Sequence, residues 1–481
     1  MCFAYTNTRK DVALKCYEYL SLNGKENCIG CIRYLQRELL GMDVDVPDVV
    51  ELPHQGIVDG TGRVFGSLRE YLDVHPPIEG APWVGIITSR ASWANDNCDV
   101  EYGLMERFQA KGCNTILIYA SPRTSEEEGT LGLADATAKY MTLDGKFLPS
   151  AIVKCSVLQF GEAAAYGKER STDFLRSLNI PISQPVIPSS MSRKAFEESP
   201  GLKRDVSFGI TYQEFEGTIE PLLIGFARED NTSQAHRRLI EERADRLVDR
   251  VIRRISLRTK PNGEKIVAFM LNNFPCAGAE ANIGEAHNLN VMDSLANIFA
   301  RMREDGYDVD APADGRGILD EIMSHKAYSD FRWTDSAEIE RCGGVLHHMS
   351  SKEYRAWFDT LSQKVRDDVI RVWGEPPGES MVREGDILIT GVRFGNVLVM
   401  VQPKRGCYGP KCDGTVCRML HDPVCPPTHQ YLATYHWLDS VMKVDAIVHT
   451  GMHGTSSMEL YAYEEVPPNV AAEIIEKRNS K

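Results

Sequence analysis

Two short apolar runs separated by a helix-length segment most constrain how this chain can fold. Residues 83–88 (WVGIIT) and 115–119 (TILIY) have the composition of fully buried strands, and the segment from about Cys98 to Lys111 that of a helix. Parallel strands joined through a helix form a β-α-β unit. A strand at 151–153 and a helix near 171–176 continue the alternation, which predicts an α/β protein with parallel sheets.

The same alternation continues through the rest of the chain. A long charged helix is predicted from about 232 to 257, a strand at 265–271, a helix at 291–305, and strands at 386–389 and 397–401. With 481 residues the chain exceeds what one hydrophobic core normally serves. We predict several Rossmann-like or flavodoxin-like modules around a central crevice, divided into an N-terminal α/β segment (1–80), a β-α-β domain (81–190), a central α/β region (191–400) and a C-terminal segment (401–481).

Charge and hydropathy narrow the functional classes. The chain has 54 basic and 68 acidic residues and a formal net charge of −14, which disfavours nucleic-acid binding because phosphate contacts need concentrated Lys and Arg. No apolar run approaches the roughly 20 residues needed to cross a bilayer. The first residues, MCFAY, lack the pattern of a secretion signal. We therefore expect a cytoplasmic protein without a membrane span.

Thirteen cysteines in a chain of this kind indicate reduced thiols. Cys28 and Cys31 form an isolated C-x-x-C, which we interpret as structural thiols, with a metal or redox role as the alternative. A denser group lies in the C-terminal segment and consists of Cys407, Cys412, Cys417 and Cys425. Its spacing matches no standard zinc or iron–sulfur site, so free loop thiols are the first interpretation and a metal or cluster site is the alternative.

The strongest functional signal is residues 445–455, DAIVHTGMHGT. A short apolar strand brings His449 and His453 to a turn in which two glycines avoid the steric penalty of a Cβ atom. Neutral imidazole is both a common metal ligand and a proton carrier. Histidines at a strand end are also often plain turn residues, so the surrounding sequence matters. Just upstream, residues 421–438 (HDPVCPPTHQYLATYHWL) predict a proline-rich loop containing His421 and His429, then a helix leading into the strand.

These stretches resemble the large subunit of cobaltochelatase (CobN type) and the related H subunit of magnesium chelatase, in which an H-D-P loop and P-P-x-H-x-Y-L-A precede V-H-x-G-x-H-G-T. Three further blocks agree in the same order: residues 214–225 (EFEGTIEPLLIG), residues 273–284 with NFP and ANIG, and residues 395–403 with GNV and QP. Weaker similarity begins near the first residues. The resemblance therefore covers most of the chain, although family members are usually much longer.

The resemblance implies the tetrapyrrole-binding large subunit of an ATP-dependent metal chelatase, a ligase that forms nitrogen–metal bonds. Cobalt insertion into a hydrogenobyrinate a,c-diamide type ring, in cobalamin biosynthesis, is the first interpretation, and magnesium insertion into protoporphyrin IX is an alternative. The chain has no G-x-x-x-x-G-K-[ST] phosphate loop. The resemblance assigns ATP use to partners, an AAA+ ATPase subunit and an integrin-domain-like subunit.

Metal insertion requires that ring nitrogens lose protons while a hydrated metal sheds water, so bases and transient ligands must act together. We predict Glu220, His449 and His453 as catalytic groups, and both histidines also as metal ligands. For Glu220 a solvated glutamate is the alternative, and the family match favours catalysis. The predicted tetrapyrrole-binding residues are Asn273, Asn282, Arg393, His421 and His429, although helix capping is the simpler account of the two histidines. A basic rim for the ring carboxylates is predicted from Arg228, Arg258, Lys260 and Arg393.

The chain also departs from the family pattern. After H-G-T the family continues with a glutamate, an aromatic residue and a P-G-K turn, whereas residues 456–461 here are SSMELY. The family's long C-terminal region is not present either, so the expected alternatives are a half-length paralogue, a split subunit for which a second chain supplies that region, and a degenerate fragment. A second hypothesis is a shortened relative that binds a tetrapyrrole or metal without catalysis. An unrelated zinc hydrolase is a third, although no H-E-x-x-H helix accompanies His449 and His453.

Overall fold

The computed structural model of the chain folds into two compact units, Met1–Arg258 (unit 1) and Thr259–Lys481 (unit 2). The structure describes residues 9–22, 24–161, 168–188, 191–199, 201–202, 206–227, 236–272, 283–284, 286, 288–328, 335–404 and 425–451, with the backbone alone for 168–171. The boundary between the units divides the predicted central region 191–400. The four-segment division made from the sequence stays a prediction.

Unit 1 alternates short strands with helices. Its helices are α1 (Lys10–Leu22), α2 (Lys25–Leu40), α3 (Leu68–Val74), α4 (Arg90–Ala94), α5 (Asp99–Ala110), α6 (Leu133–Tyr140), α7 (Lys168–Leu178), α8 (Arg193–Glu197), α9 (Tyr212–Glu216) and α10 (Glu241–Thr259). Its strands are β1 (Gly56–Val58), β2 (Val64–Phe65), β3 (Trp83–Ser89), β4 (Asn114–Ala120), β5 (Thr142–Leu143), β6 (Lys146–Phe147), β7 (Ala151–Lys154), β8 (Ile182–Ser183), β9 (Gly225–Ala227) and β10 (Arg237–Leu239).

The main sheet of unit 1 has the strand order β2-β1-β4-β3-β7-β8. Strands β4, β3, β7 and β8 run parallel, and Val84 on β3 lies in register with Thr115 on one side and Ala151 on the other. The chain steps from β3 to β4 in one direction, and then crosses back past β3 to reach β7. Such a reversal leaves a crevice at the carboxyl ends of the two strands where it occurs, here β3 and β7.

Helices cover both faces of this sheet, which explains why β3 and β4 are apolar through their length. On one face α10 buries Ala244, Leu247, Val248, Val251 and Ile255, residues that share one side of the helix, together with residues of α5. Each fully buried Leu or Val side chain contributes about 1.5–3 kcal/mol. The amphipathic pattern of α10 is therefore what fixes it to the sheet.

A buried ionic group, the Lys154 cluster (Lys154, Gln213 and Glu216), lies at the end of β7. Lys154 is fully buried; its Nζ donates to the carbonyl of Leu158 (2.7 Å) and to Gln213 Oε1, and lies 3.6 Å from Glu216 Oε2. Glu216 Oε1 accepts the backbone N–H of Phe160 (2.5 Å). Burial lowers the pKa of Lys154 to about 8. The cluster joins the 214–225 block to the end of the parallel sheet.

Unit 2 is built on a smaller parallel sheet. Its helices are α11 (Val291–Glu304), α12 (Gly315–Ser324), α13 (Ser336–Arg341), α14 (Ser351–Phe358), α15 (Gln363–Trp373) and α16 (His429–His436). Its strands are β11 (Val267–Leu271), β12 (Val345–Met349), β13 (Val382–Arg383), β14 (Asp386–Thr390), β15 (Val392–Phe394), β16 (Val397–Val401) and β17 (Ala446–Thr450).

The main sheet of unit 2 has the strand order β15-β16-β11-β17. Strands β16, β11 and β17 run parallel, and β15 is antiparallel to β16. Met270 on β11 is in register with Met400 on β16 and with His449 on β17. Residues of α11 and α12 pack on one face, and residues of α14, α15 and α16 on the other. Strands β11 and β16 are buried along their whole length because both faces are covered. A separate antiparallel sheet has the order β12-β14-β13.

The predicted α/β class is confirmed, since both units contain sheets with parallel strands. The helix predicted from 232 begins at Glu241, because residues 237–239 pair as β10 with β9. The strands predicted at 386–389 and 397–401 are present but belong to different sheets. His347 and His348 lie on β12. Within the described ranges no helix is both long and apolar enough to span a membrane.

Candidate functional site

Three parallel strands of unit 2 end at one edge of the sheet. Beyond β11, β16 and β17 the chain continues to Asn272, Gln402 and Gly451. Hydrogen bonds hold the strands together up to this point, from the Asn272 N–H to the carbonyl of Thr450 (3.1 Å) and from the Gln402 N–H to that of Leu271 (2.9 Å). Open α/β sheets bind ligands at the carboxyl ends of their strands.

Close packing at this edge requires the glycine that follows β17. A Cβ atom on Gly451 would lie 2.5 Å from the Cβ of Asn272, closer than real Cβ contacts allow. The first glycine of the H-x-G-x-H-G pattern thus permits the close approach of two neighbouring chain segments.

His449 lies on β17, two residues before Gly451, with an exposed side chain. Its ring is nearly parallel to that of Tyr435, at 14° and with the centroids 6.0 Å apart, and its Nε2 lies 3.5 Å from the Tyr435 hydroxyl oxygen. Partial burial lowers the pKa of His449. The imidazole is therefore neutral near pH 7, and a neutral imidazole can accept a proton or bind a metal ion.

Two tyrosines and a glutamine support His449. Gln402 Nε2 donates to the hydroxyl of Tyr435 (3.0 Å) and to that of Tyr431 (3.3 Å), and the two tyrosine rings are 4.9 Å apart. Burial raises the pKa of Tyr435, which keeps its hydroxyl protonated. Neither tyrosine was predicted from the sequence. Their separation of four residues on α16 is the signal for a shared helix face.

Four predicted site residues, Asn273, Asn282, His421 and His453, lie outside the described residues. In the chain they follow the strand ends at this edge: 273–282 comes after β11, 405–424 after β16, and 452 onward after β17. Their grouping with His449 stays a prediction.

His429 is the first residue of α16, and Thr428 rather than His429 caps the helix. The His429 ring is buried and both nitrogens have protein partners: Nδ1 is 2.9 Å from the Tyr354 hydroxyl, and Nε2 is 2.9 Å from the carbonyl of Gly374. Burial lowers its pKa. Since a carbonyl can only accept, Nε2 carries the proton and Nδ1 accepts from Tyr354. In these contacts His429 holds α16 in place, and its predicted ring-binding role stays a prediction.

Arg393 lies on β15, three strands from His449, or about 14 Å at ordinary strand spacing. Its side chain is exposed, and its guanidinium donates to the carbonyl of Gly395 (2.7 Å) and the side-chain oxygen of Asn396 (3.3 Å). The structure therefore brings Arg393 into the same sheet as His449 but not beside it.

The other predicted basic residues have partners within their own units. The Arg258 guanidinium donates to the carbonyl of Asn179, and Lys260 pairs with Asp445 at 2.7 Å. Arg228 lies outside the described residues. A basic rim for the ring carboxylates stays a prediction.

Glu220 belongs to unit 1, whereas His449 belongs to unit 2. Its side chain is 7% exposed, and its Oε1 accepts from Arg250 Nε (2.9 Å) and Arg254 Nη2 (2.9 Å), while Oε2 accepts from the Ser183 hydroxyl (3.1 Å). Its backbone is left-handed, with φ at +67°. The carboxylate thus fastens helix α10 to the 214–225 block, and its predicted catalytic role stays a prediction.

The structure describes only some of the cysteines considered as metal ligands or redox groups. Cys28 and Cys31 lie on α2 without a disulfide, and burial raises the pKa of Cys31 to about 11, so that it is a thiol at neutral pH. Cys425 is buried, and Cys407, Cys412 and Cys417 lie outside the described residues. In the part of the chain that the structure describes, no three His, Cys, Asp or Glu side chains are arranged to hold a metal ion.

The two units, each with a sheet that contains parallel strands, define the chain as an α/β protein, a class in which ligands commonly bind at the carboxyl ends of the strands. The chain belongs to the CobN/Magnesium Chelatase family, whose family model matches residues 17–458. The resemblance inferred from the sequence motifs is thereby confirmed.

Relatives named for both metals are similar to the chain. An uncharacterized protein of Methanocaldococcus jannaschii is 36% identical over 92% of this chain and 36% of its own length. The chloroplastic magnesium-chelatase subunit ChlH of Oryza sativa subsp. indica is 24% identical over 87% of this chain and 29% of its own. The catalytic subunit of cobaltochelatase from Mycobacterium tuberculosis matches in structure with a TM-score of 0.68 and 25% identity, over 94% of this chain and 36% of that one. The chain therefore spans about a third of the length of these relatives.

Proposed function

We propose that this chain is the tetrapyrrole-binding part of a metal chelatase large subunit, and that ring and metal meet at the carboxyl edge of the unit 2 sheet. The observation that carries the proposal is His449, a neutral imidazole at the end of a parallel strand in a chain of this family. Gln402 donates a hydrogen bond to the Tyr435 hydroxyl, and that hydroxyl lies beside Nε2 of His449, so these contacts hold polar groups in fixed positions next to the imidazole.

The chemistry required of such a site is proton removal coupled to ligand exchange. As the metal enters, the ring releases two N–H protons and the metal exchanges water for ring nitrogens. His449 accepts one of these protons or binds the metal during transfer, for which a neutral ring is needed. His453 and Glu220 remain proposed partners in these steps.

Cobalt is the proposed substrate metal, with a hydrogenobyrinate a,c-diamide type ring as acceptor. Imidazole nitrogen suits transition metals, whereas magnesium prefers carboxylate, carbonyl and water oxygens. Magnesium insertion into protoporphyrin IX is the alternative, and the similarity to ChlH supports it.

Energy for insertion is proposed to come from partners, an AAA+ ATPase subunit and an integrin-domain-like subunit, since these 481 residues contain no phosphate-loop motif. The described cysteines form no disulfides, which favours a reducing compartment such as the cytoplasm.

A non-catalytic tetrapyrrole-binding role is the second candidate. It is favoured by the residues after H-G-T, where SSMELY replaces the glutamate, aromatic residue and P-G-K turn that the family resemblance predicts. Binding of a tetrapyrrole without metal insertion, measured with the ATPase partners present, would support this candidate.

Optical titration of the chain with hydrogenobyrinate a,c-diamide and with protoporphyrin IX tests the proposal. We expect saturable binding of one pigment that weakens in His449→Ala. The matched control is His348→Ala, which removes a 44% exposed histidine from β12 of the same unit. Equal binding by wild type and His449→Ala, or no binding of either pigment by the wild type, would overturn the proposed site.

A further inference from the structure

A cavity of about 580 Å³ opens in unit 1 at the carboxyl ends of β3, β4 and β7. It lies where the strand order reverses between β3 and β7, the usual ligand position in such sheets. Its volume falls within the range of small-molecule sites, roughly 300–1,000 Å³. Every residue that lines it belongs to unit 1, whereas His449 belongs to unit 2.

One arginine brings uncompensated charge to this cavity. Arg90 follows β3 directly, and its guanidinium donates to two backbone carbonyls, those of Pro53 (3.1 Å) and Leu52 (3.1 Å). These neutral partners fix the side chain and leave its charge unbalanced. Among the described residues no aspartate or glutamate lines the cavity, and none forms an ion pair with Arg90.

A second arginine is buried in the wall. The Arg237 side chain is 7% exposed, and its Nη2 donates to Glu101 Oε1 (2.9 Å) and Oε2 (3.1 Å) and to the carbonyl of Asn97 (2.7 Å). Glu101 is fully buried, so it balances the charge of Arg237. Within the described residues Arg237 Nε has no hydrogen-bond partner. A buried donor without a partner is rare, and this one needs a partner that the described residues do not supply.

The rest of the lining divides into polar and apolar parts. The polar part contains the side chains of Ser89, Ser92, Asn95, Asn97 and Ser156. The apolar part contains Ala91, Ala120, Pro122, Cys155, Val157, Leu158 and Ile187. An occupant therefore needs an anionic head, groups that hydrogen-bond, and a carbon body.

We propose that this cavity binds a small organic carboxylate, with its head at Arg90 and Arg237 and its carbon body against the apolar wall. Because Glu101 balances Arg237, the site offers about one net positive charge. A carboxylate matches that charge, whereas a phosphate monoester carries about −1.5 to −2 at pH 7. The site is independent of the chelatase proposal, since it shares no residue with the unit 2 edge.

Calorimetric titration of the full chain with benzoate, phenyl phosphate and benzyl alcohol tests this proposal. These probes have the same ring and differ in the head group. Arg90→Gln removes the unbalanced charge, and Ala91→Trp fills the cavity from an exposed position while the charge stays. The matched control is Arg69→Gln, which changes a 72% exposed arginine elsewhere in unit 1.

We expect benzoate to bind, and both Arg90→Gln and Ala91→Trp to weaken it by about tenfold or more, as loss of a charge-assisted hydrogen bond predicts. Arg69→Gln should bind benzoate like the wild type. Tighter binding of phenyl phosphate would overturn the choice of a carboxylate, and equal binding of benzyl alcohol would overturn an anion site. If none of the three probes bound, or if the folded Ala91→Trp variant bound benzoate as tightly as the wild type, the cavity would not be the binding site.

Discussion

The contribution of Lys154 to the stability of unit 1 should grow as the pH rises from 8 to 9.5, because Lys154 is buried beside Gln213 and Glu216. Burial lowers the pKa of Lys154 to about 8 in the folded chain, from 10.5 in water. Below pH 8 both folded and unfolded chains hold the proton, and the folded chain bears the full penalty of the buried charge. Between 8 and 10.5 the lysine holds its proton more often in the unfolded chain, so its contribution to the free energy of unfolding rises with pH.

The size of this effect follows from the shift. Each pH unit inside the window adds up to about 1.4 kcal/mol, and the whole shift corresponds to about 3 kcal/mol. Buried thiols act in the opposite direction in the same window, because burial raises the pKa of Cys31 to about 11 and also raises the pKa of Cys98, Cys113 and Cys155. Between pH 8 and 9.5 we therefore expect the free energy of unfolding of the wild type to gain about 1.5 kcal/mol relative to that of a variant without Lys154, measured by urea unfolding followed by circular dichroism.

The control is the double variant Lys154→Met/Glu216→Gln. It removes the titrating lysine together with its buried carboxylate, and the glutamine oxygen can still accept the Phe160 N–H that Glu216 accepts in the wild type. The double variant should not share the gain. If its unfolding free energy changed with pH as that of the wild type does, Lys154 would not be the group that titrates, and the reasoning would be wrong.

Three further results are expected. Tyr435→Ala uncovers the His449 ring and should raise its pKa toward about 6.5, read as the midpoint of an imidazole NMR titration; an unchanged midpoint would contradict the burial argument. Gly451→Ala should lower the free energy of unfolding by about 1–3 kcal/mol through overpacking, whereas Gly60→Ala, where nothing lies within 4 Å, should not. Glu101→Gln should destabilise by about 3–5 kcal/mol in urea unfolding because it leaves a buried guanidinium unbalanced, and a loss below about 1 kcal/mol would refute this.

Elements with strong local patterns could be predicted from the sequence. The runs at 83–88 and 115–119 were recognisable because strands covered on both faces are apolar along their whole length. The start of α10 was not, because residues 237–239 pair with β9 through hydrogen bonds that leave no apolar pattern. The separation of β14 and β16 into two sheets depends on which partner each strand finds, and spacing alone does not encode it.

The candidate site shows the same limit. His449 was recognisable because a short strand and a glycine flank it. Glu220 looked like a free carboxylate, since its partners Arg250 and Arg254 come 30 and 34 residues later in the sequence. Contacts between distant segments set the environment of a side chain, and a single sequence gives no direct measure of them.

The position of β17 in its sheet bears on how the chain folds as it leaves the ribosome. Its partner β11 consists of five buried residues, and Leu271 pairs with Thr450, which is made about 180 residues later. At roughly 5–20 residues per second, this interval takes about ten to forty seconds. Until β16 is made, about 130 residues after β11, both flanks of this apolar strand are unpaired, and from then until β17 is made one flank is unpaired. A nascent chain stalled before β17 should therefore be a good chaperone substrate and a poor candidate for independent expression.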